Sequence, residues 1–193
     1  MKFKVITAVA TEPVSLAEAR LQCKVDPDDT SNDVLLTSLC TAAREYAEHY
    51  TGRALAPVTL EAALDEFPCG DSFDLPMSPI TSVTSIKYTD SAGTEQTMDT
   101  GDYALSPYGD SRTVSLAYGS TWPGTQGIPD AVRARFVAGY GLEGGPALPM
   151  AIKAAMLLHV ELESPLNPHT PAERQALERA RDALLETKKV WGF

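Results

Sequence analysis

Apolar residues recur at spacings of three and four between positions 33 and 51: Leu36, Leu39, Cys40, Ala43, Tyr46, Ala47 and Tyr50. That spacing predicts one long amphipathic helix, with Arg44, Glu45 and Glu48 on its other faces. Gly52 follows, where a left-handed residue closes a helix at little cost. Upstream, Ser15 and Glu18 stand at capping-box spacing before Ala19, Arg20 and Leu21, which predicts a short helix. Asp26-Pro27-Asp28-Asp29-Thr30-Ser31-Asn32-Asp33 breaks the two apart and puts negative charge at the start of the long helix.

From Pro57 the period changes from helical to alternating. Strands are predicted at 58–64, 80–88, 95–98, 103–105, 113–116 and 131–137, with turns at Asp90-Ser91-Ala92-Gly93, Pro107-Tyr108-Gly109-Asp110 and Trp122-Pro123-Gly124. The last strand places Val132, Ala134 and Phe136 on one face and Arg133 and Arg135 on the other. Helical spacing returns at 149–163, with Ile152, Ala155, Met156, His159 and Val160 along one side, and again at 171–190. There Thr170 and Glu173 form a second capping box and Pro171 takes the first helical position. The fold class is α+β: a helical core with an inserted antiparallel β-rich region. The expected organisation is one domain over 1–193, with an N-terminal helical part at 1–56, the β-rich insertion at 57–146, and a C-terminal helical part and tail at 147–193.

Composition narrows the function. The 193 residues are 44% hydrophobic and 22% charged, with a net charge of -10. Affinity for duplex DNA comes largely from Lys and Arg neutralising phosphates, so this chain is unsuited to holding DNA across a broad surface. No apolar run approaches the roughly 20 residues of a membrane span. Residues 1–10 are read as a strand or arm rather than a signal peptide, since Thr7 interrupts the apolar stretch and Glu12 and Pro13 follow. Cys23, Cys40 and Cys69 are an odd number without pairing pattern, as expected of reduced thiols.

Each candidate for chemistry lacks a part. Gly139-Tyr140-Gly141-Leu142-Glu143-Gly144 matches a dinucleotide fingerprint, but Gly145-Pro146 intervenes where a helix must begin. Asp26, Asp28 and Thr30 open like a calcium loop, yet Ser31 stands where glycine is required and Thr37 where a bidentate glutamate is required. His159-Val160-Glu161 has the first half of a zinc-deaminase motif without the P-C-x-x-C half. Cys40 falls in the core stripe, and Ser120 has no specified base. No catalytic, cofactor or metal residue is therefore assigned. The alternative kept open is a small acidic enzyme or phosphate-ligand binder using the Gly139–Gly145 turn. The tail Lys188, Lys189, Val190, Trp191 and Phe193 has two readings: aromatic anchors for a partner's pocket, or a segment folded back on its own helices.

Three patches carry a family resemblance: Glu12-Pro13-Val14-Ser15-Leu16-Ala17-Glu18-Ala19 with Asp28-Asp29-Thr30 and Asp33; Ala42-Ala43-Arg44-Glu45 with Tyr50-Thr51-Gly52-Arg53; and Val132–Gly141 leading to Pro149 and Ile152–Leu158. Leu75-Pro76-Met77-Ser78-Pro79-Ile80 adds a proline-punctuated lead into a strand. In these the chain resembles the head–tail connector (adaptor) proteins of tailed bacteriophages and related phage-like particles. The resemblance implies a non-enzymatic structural protein at the virion neck, assembled in the host cytoplasm. It implies a homo-oligomeric ring, commonly of 12 subunits, set between the portal protein and a head-completion (stopper) or tail protein. DNA would pass through the channel without specific binding. The tail residues 188–191 and 193 are the expected portal contact, and no cofactor is implied.

Overall fold

The computed structural model describes residues 1–106, 112–142 and 145–190; the predicted turn Pro107–Asp110 lies outside them. Two compact units emerge, one from 1–9 with 57–145 and one from 10–56 with 146–193.

The first unit is built of two antiparallel sheets. Its strands are β1 (Lys2–Thr7), β2 (Val58–Leu64), β3 (Ser72–Asp74), β4 (Ile80–Thr89), β5 (Glu95–Thr97), β6 (Tyr103–Leu105), β7 (Thr113–Leu116) and β8 (Val132–Ala138). The larger sheet has the order β1-β2-β8-β4-β5 and the smaller β3-β7-β6. Register aligns Val5, Leu60, Phe136 and Val83 in one row, and Phe3, Ala62, Ala134 and Ile86 in the next. Leu60, Ala62, Ala134, Phe136 and Ile86 are buried, so this is the core face. The opposite face is polar: Glu61 receives Lys4 at 2.8 Å and Arg135 at 2.8 Å, and Glu95 pairs with Lys87 and Arg133. The β4–β5 turn closes as the Asp-Ser-Ala-Gly sequence requires, with Gly93 at φ 83° and the Asp90 carboxylate accepting from the backbone N–H groups of Ala92 and Thr94.

The second unit is helical: α1 (Leu16–Gln22), α2 (Asp33–Thr51), α3 (Met150–Glu163) and α4 (Pro171–Glu186). Both capping boxes form. Ser15 Oγ accepts from Glu18 N–H while the Glu18 carboxylate accepts from Ser15 N–H, and Thr170 and Glu173 repeat the exchange. Glu18 also holds Lys153 Nζ at 2.6 Å, which fastens the start of α1 to α3. Ser15→Ala is expected to cost about 1 kcal/mol, read as a lower urea midpoint of the helical circular-dichroism signal with an unchanged slope.

Three differences from the sequence reading have physical causes. The strand at 2–7 joins the β unit, beyond the helical part, because its backbone pairs with β2. Strand β3 is new: with only Phe73 buried between two exposed residues, its alternation is too short to read. Helix α4 ends at Glu186 rather than near 190, since the N–H groups of Lys188 and Lys189 bond three residues back, to Leu185 and Glu186.

Candidate functional site

Helix α2 is the organising wall of the helical unit. Leu36, Cys40, Ala43, Ala47 and Thr51 are buried along it, and Leu39, Tyr46 and Tyr50 are half-buried. Gly52 caps it in the left-handed region, φ 69°, with its N–H on the Glu48 carbonyl at 2.9 Å. One face that the spacing assigns to solvent is instead largely enclosed. Arg44 donates from Nε to Glu12 at 2.8 Å and from Nη1 to Glu48 at 2.7 Å. Glu12 also accepts from Thr41 Oγ1, and Glu48 from the N–H of Leu55. Burial raises the Glu48 pKa above the ordinary carboxylate value, against the pull of Leu55 N–H and Arg44. The i, i+4 spacing of Arg44 and Glu48 was the available sequence signal; Glu12, from the segment before α1, was not.

The acidic break is held by a cation on α1. Arg20 grips both oxygens of Asp33 at 2.6 Å and donates to the Pro27 carbonyl at 2.8 Å. Asp26 and Asp29 each accept from a backbone N–H two residues on. Their carboxylates serve the loop itself, and no cluster that could hold a metal ion occurs among the described residues.

At the other end of α2 lies a column of stacked side chains. The Tyr46 ring stacks on His159 with centroids 4.6 Å apart, and the Arg181 guanidinium lies 4.1 Å over the same Tyr46 ring. Arg181 Nη1 stands 3.1 Å from His159 Nδ1, and Asp182 takes both Arg181 Nε and the Tyr46 hydroxyl. Buried and facing Arg181, the His159 imidazole has its pKa lowered from 6.5 and stays neutral. Below pH 6.5 the unfolded chain binds a proton there that the folded chain refuses, so stability falls as pH drops from that value toward the folded pKa. Urea midpoints are expected to fall between pH 7.5 and 5.5, and by less in His159→Gln.

Of the tail, Lys188, Lys189 and Val190 sit against the end of α2. Arg53 Nε donates to the Lys188 carbonyl at 2.6 Å, Val190 N–H to the Thr51 carbonyl at 2.9 Å, and Lys189 Nζ lies 5.3 Å over the Tyr50 ring. Tyr50 in turn donates to Glu186 at 2.8 Å. Trp191 and Phe193, on which the choice between anchor and fold-back turns, lie outside the described residues.

The remaining chemistry resolves into packing. Cys40 is buried, and burial pushes its thiol up to about 11, the opposite of activation. Gly139 N–H is used by the Pro79 carbonyl and Gly141 takes φ 82°, so this stretch is a turn; Glu143 and Gly144 of the motif lie outside the described residues. Ser120 donates to Asp102. No helix among the described residues is long and apolar enough to cross a membrane.

Residues 13–103 match the sequence model of the phage gp6-like head-tail connector protein. No curated protein matches the chain. A chain in the neck of an empty gene transfer agent particle, computed with C6 symmetry, is similar at TM-score 0.75 and 25% identity, covering 100% of this chain and 97% of that one. A chain of the native gene transfer agent virion gives TM-score 0.72 and 25% identity, again covering 100% and 97%. A chain from the native neck computed with C12 symmetry gives TM-score 0.72 and 26% identity, with the same coverage.

Proposed function

We propose that this chain is a structural head–tail adaptor of the virion neck, one subunit of a ring that extends the DNA channel. The observation that carries the reading is the match of residues 13–103, from the first capped helix through α2 and into the β unit, to the connector family. The likeness of the whole chain to neck chains supports it, and the 6-fold and 12-fold symmetries of those necks favour a ring. Twelve copies are the proposed number. The portal protein lies on one side and a stopper or tail protein on the other.

A ring subunit needs two different surfaces that meet under one repeated rotation. It also needs rigid walls, which α2 supplies through its buried stripe and the Arg44 cluster. Exposed acids such as Glu45, Glu163, Glu173 and Glu186 are the proposed channel lining, because an acidic wall repels phosphates and lets DNA slide. The final helix and tail, with Trp191 and Phe193 as anchors, are the proposed portal contact. Electron-microscope imaging of the protein with and without portal tests the reading. Rings that stack on portal are expected; a protein that stays monomeric beside assembled portal would overturn it.

A further inference from the structure

Among the described residues, Tyr118 has the greatest fractional exposure of any large apolar side chain, 108%. It stands at the tip of a tight turn just past β7. Ser120 N–H closes that turn on the Ala117 carbonyl at 3.0 Å, with Gly119 at φ 84°. Asp102 holds both flanks: its carbonyl accepts from Ala117 N–H and its carboxylate from Ser120 Oγ, each at 2.9 Å. The tip is fixed before it meets anything, which lowers the ordering cost of a contact there. Its surroundings are acidic. Leu116 N–H bonds the Asp71 carbonyl and Asp102 N–H the Asp99 carbonyl. No Lys or Arg occurs in 65–86, 88–111 or 113–132.

The cations of the same unit gather elsewhere. All but Arg112, namely Lys2, Lys4, Lys87, Arg133 and Arg135, stand on the polar face of the larger sheet, in the rows of Glu61 and Ala63. Beside β1 that face holds a cleft of about 190 Å³. Ala63 and Phe3 line its apolar part, Lys2, Lys4 and Arg133 its cationic part, and Glu61 and Asp130 add acceptors. The volume falls below the roughly 300–1,000 Å³ of small-molecule sites and suits a single side chain. We propose that Tyr118 of each ring subunit enters this cleft on its neighbour. The proposal rests on the ring reading and names the surfaces that make it.

Chemistry, charge and placement agree. The face of a phenol ring is electrically negative and draws ammonium and guanidinium groups, which Lys2, Lys4 and Arg133 supply. Glu61 and Asp130 are acceptors for its hydroxyl, so the apolar body and the polar end of the side chain both find partners. The Lys2–Asp130 contact, 3.4 Å and exposed, is weak enough to open for a guest. In the contact the acids beside the tip face cations, not other acids. Phe67 ties the smaller sheet to the larger: its ring lies 4.9 Å from Trp122, which also meets Phe73 of β3, and 5.9 Å from Tyr88. Tyr88 pairs with Val132 on the core face. The tip, four residues before Trp122, is therefore on the core side of the larger sheet and the cleft on its polar side. Two different surfaces on opposite sides of a subunit make the heterologous contact that a ring repeats.

The test uses the full chain together with portal. Tyr118→Ala is expected to weaken ring assembly roughly thirtyfold, the loss that removing an aromatic anchor brings. Ala63→Trp, which fills the cleft from the other side, should do the same, whereas Tyr118→Phe keeps the aromatic face and should lose far less. Circular dichroism should stay unchanged in all three, since Tyr118 is fully exposed and Ala63 sits on the open face of the sheet. A benzophenone amino acid in place of Tyr118, irradiated in portal-bound assemblies, is expected to give covalent multimers. Their cross-linked peptides should contain residues 1–4, 61–63 or 130–133 of a second copy. Wild-type rings that survive both Tyr118→Ala and Ala63→Trp would overturn this contact and leave the ring reading standing. Cross-links to portal or to DNA in place of a second copy would overturn it in favour of another partner for the tip. Absence of wild-type rings would sink both.

Discussion

Phe136→Ala is expected to cost the β unit about 4 kcal/mol, the usual loss for emptying a buried phenyl site. Phe136 is fully enclosed in the middle of β8, with Leu60 of β2 on one side and Val83 of β4 on the other. Three strands meet at that side chain, and backbone pairing prevents them from closing the gap. Hydrogen exchange should show the change as faster opening of β2, β4 and β8 amides, with α2 and α3 amides far less affected. Phe3→Ala, on the same face at the open edge, is expected to cost only about 1 kcal/mol in the isolated subunit, because half of the ring is already in water. A loss at Phe136 no larger than that at Phe3 would contradict the core assigned to this sheet.

Arg44→Ala is expected to cost the helical unit about 3 kcal/mol, since it strands two carboxylates in a largely enclosed site. Glu12 and Glu48 both point at this guanidinium, and among the described residues each has one other hydrogen-bond partner, Thr41 Oγ1 and Leu55 N–H respectively. The pH dependence identifies the cause. Burial already raises the Glu48 pKa, and loss of the cation raises it further. A carboxyl whose folded pKa exceeds its unfolded value favours folding below the unfolded value and loses that support as pH rises through the folded one. The deficit of Arg44→Ala should therefore be largest at neutral pH and shrink toward pH 5. Urea titrations of both proteins at pH 7.5 and 5 decide this, and a deficit independent of pH would mean that lost packing, not stranded charge, is responsible.

What could be read from the sequence was local. Ser15 with Glu18, Thr170 with Glu173, Gly52 after a 19-residue stripe, and the alternation through β8 each contain their own geometry within a few residues. The β4–β5 turn is legible for the same reason. Pairings across long sequence distances were not legible. Glu12 reaches Arg44 from 32 residues away, and Tyr46 meets Asp182 from 136. Nothing near any of these residues specifies the partner. Spacing alone put Arg44 and Glu48 on the outside of α2, and it had no means of knowing that the segment before α1 folds across them. Short β3 failed differently: one buried phenylalanine in three residues is too little pattern. The tail was legible in part, because the spacing kept the helix running to Val190, whereas the Thr51 carbonyl captures Val190 N–H and the chain leaves the helix first.

The register of the larger sheet also bears on how the chain folds. Thr7 pairs with Thr59, and Val58 with Ala138, so the three strand ends that lead into helical segments lie side by side. Helices α2 and α3 are separated by about 100 residues of chain, but once β2 and β8 are zipped the connection shortens to about 20. On loop-closure scaling that shortcut lowers the entropic cost of bringing the helices together by about 1.4 kcal/mol. The β insertion thereby works as a clasp, and a sheet that forms early turns a distant helix pairing into a near neighbour's.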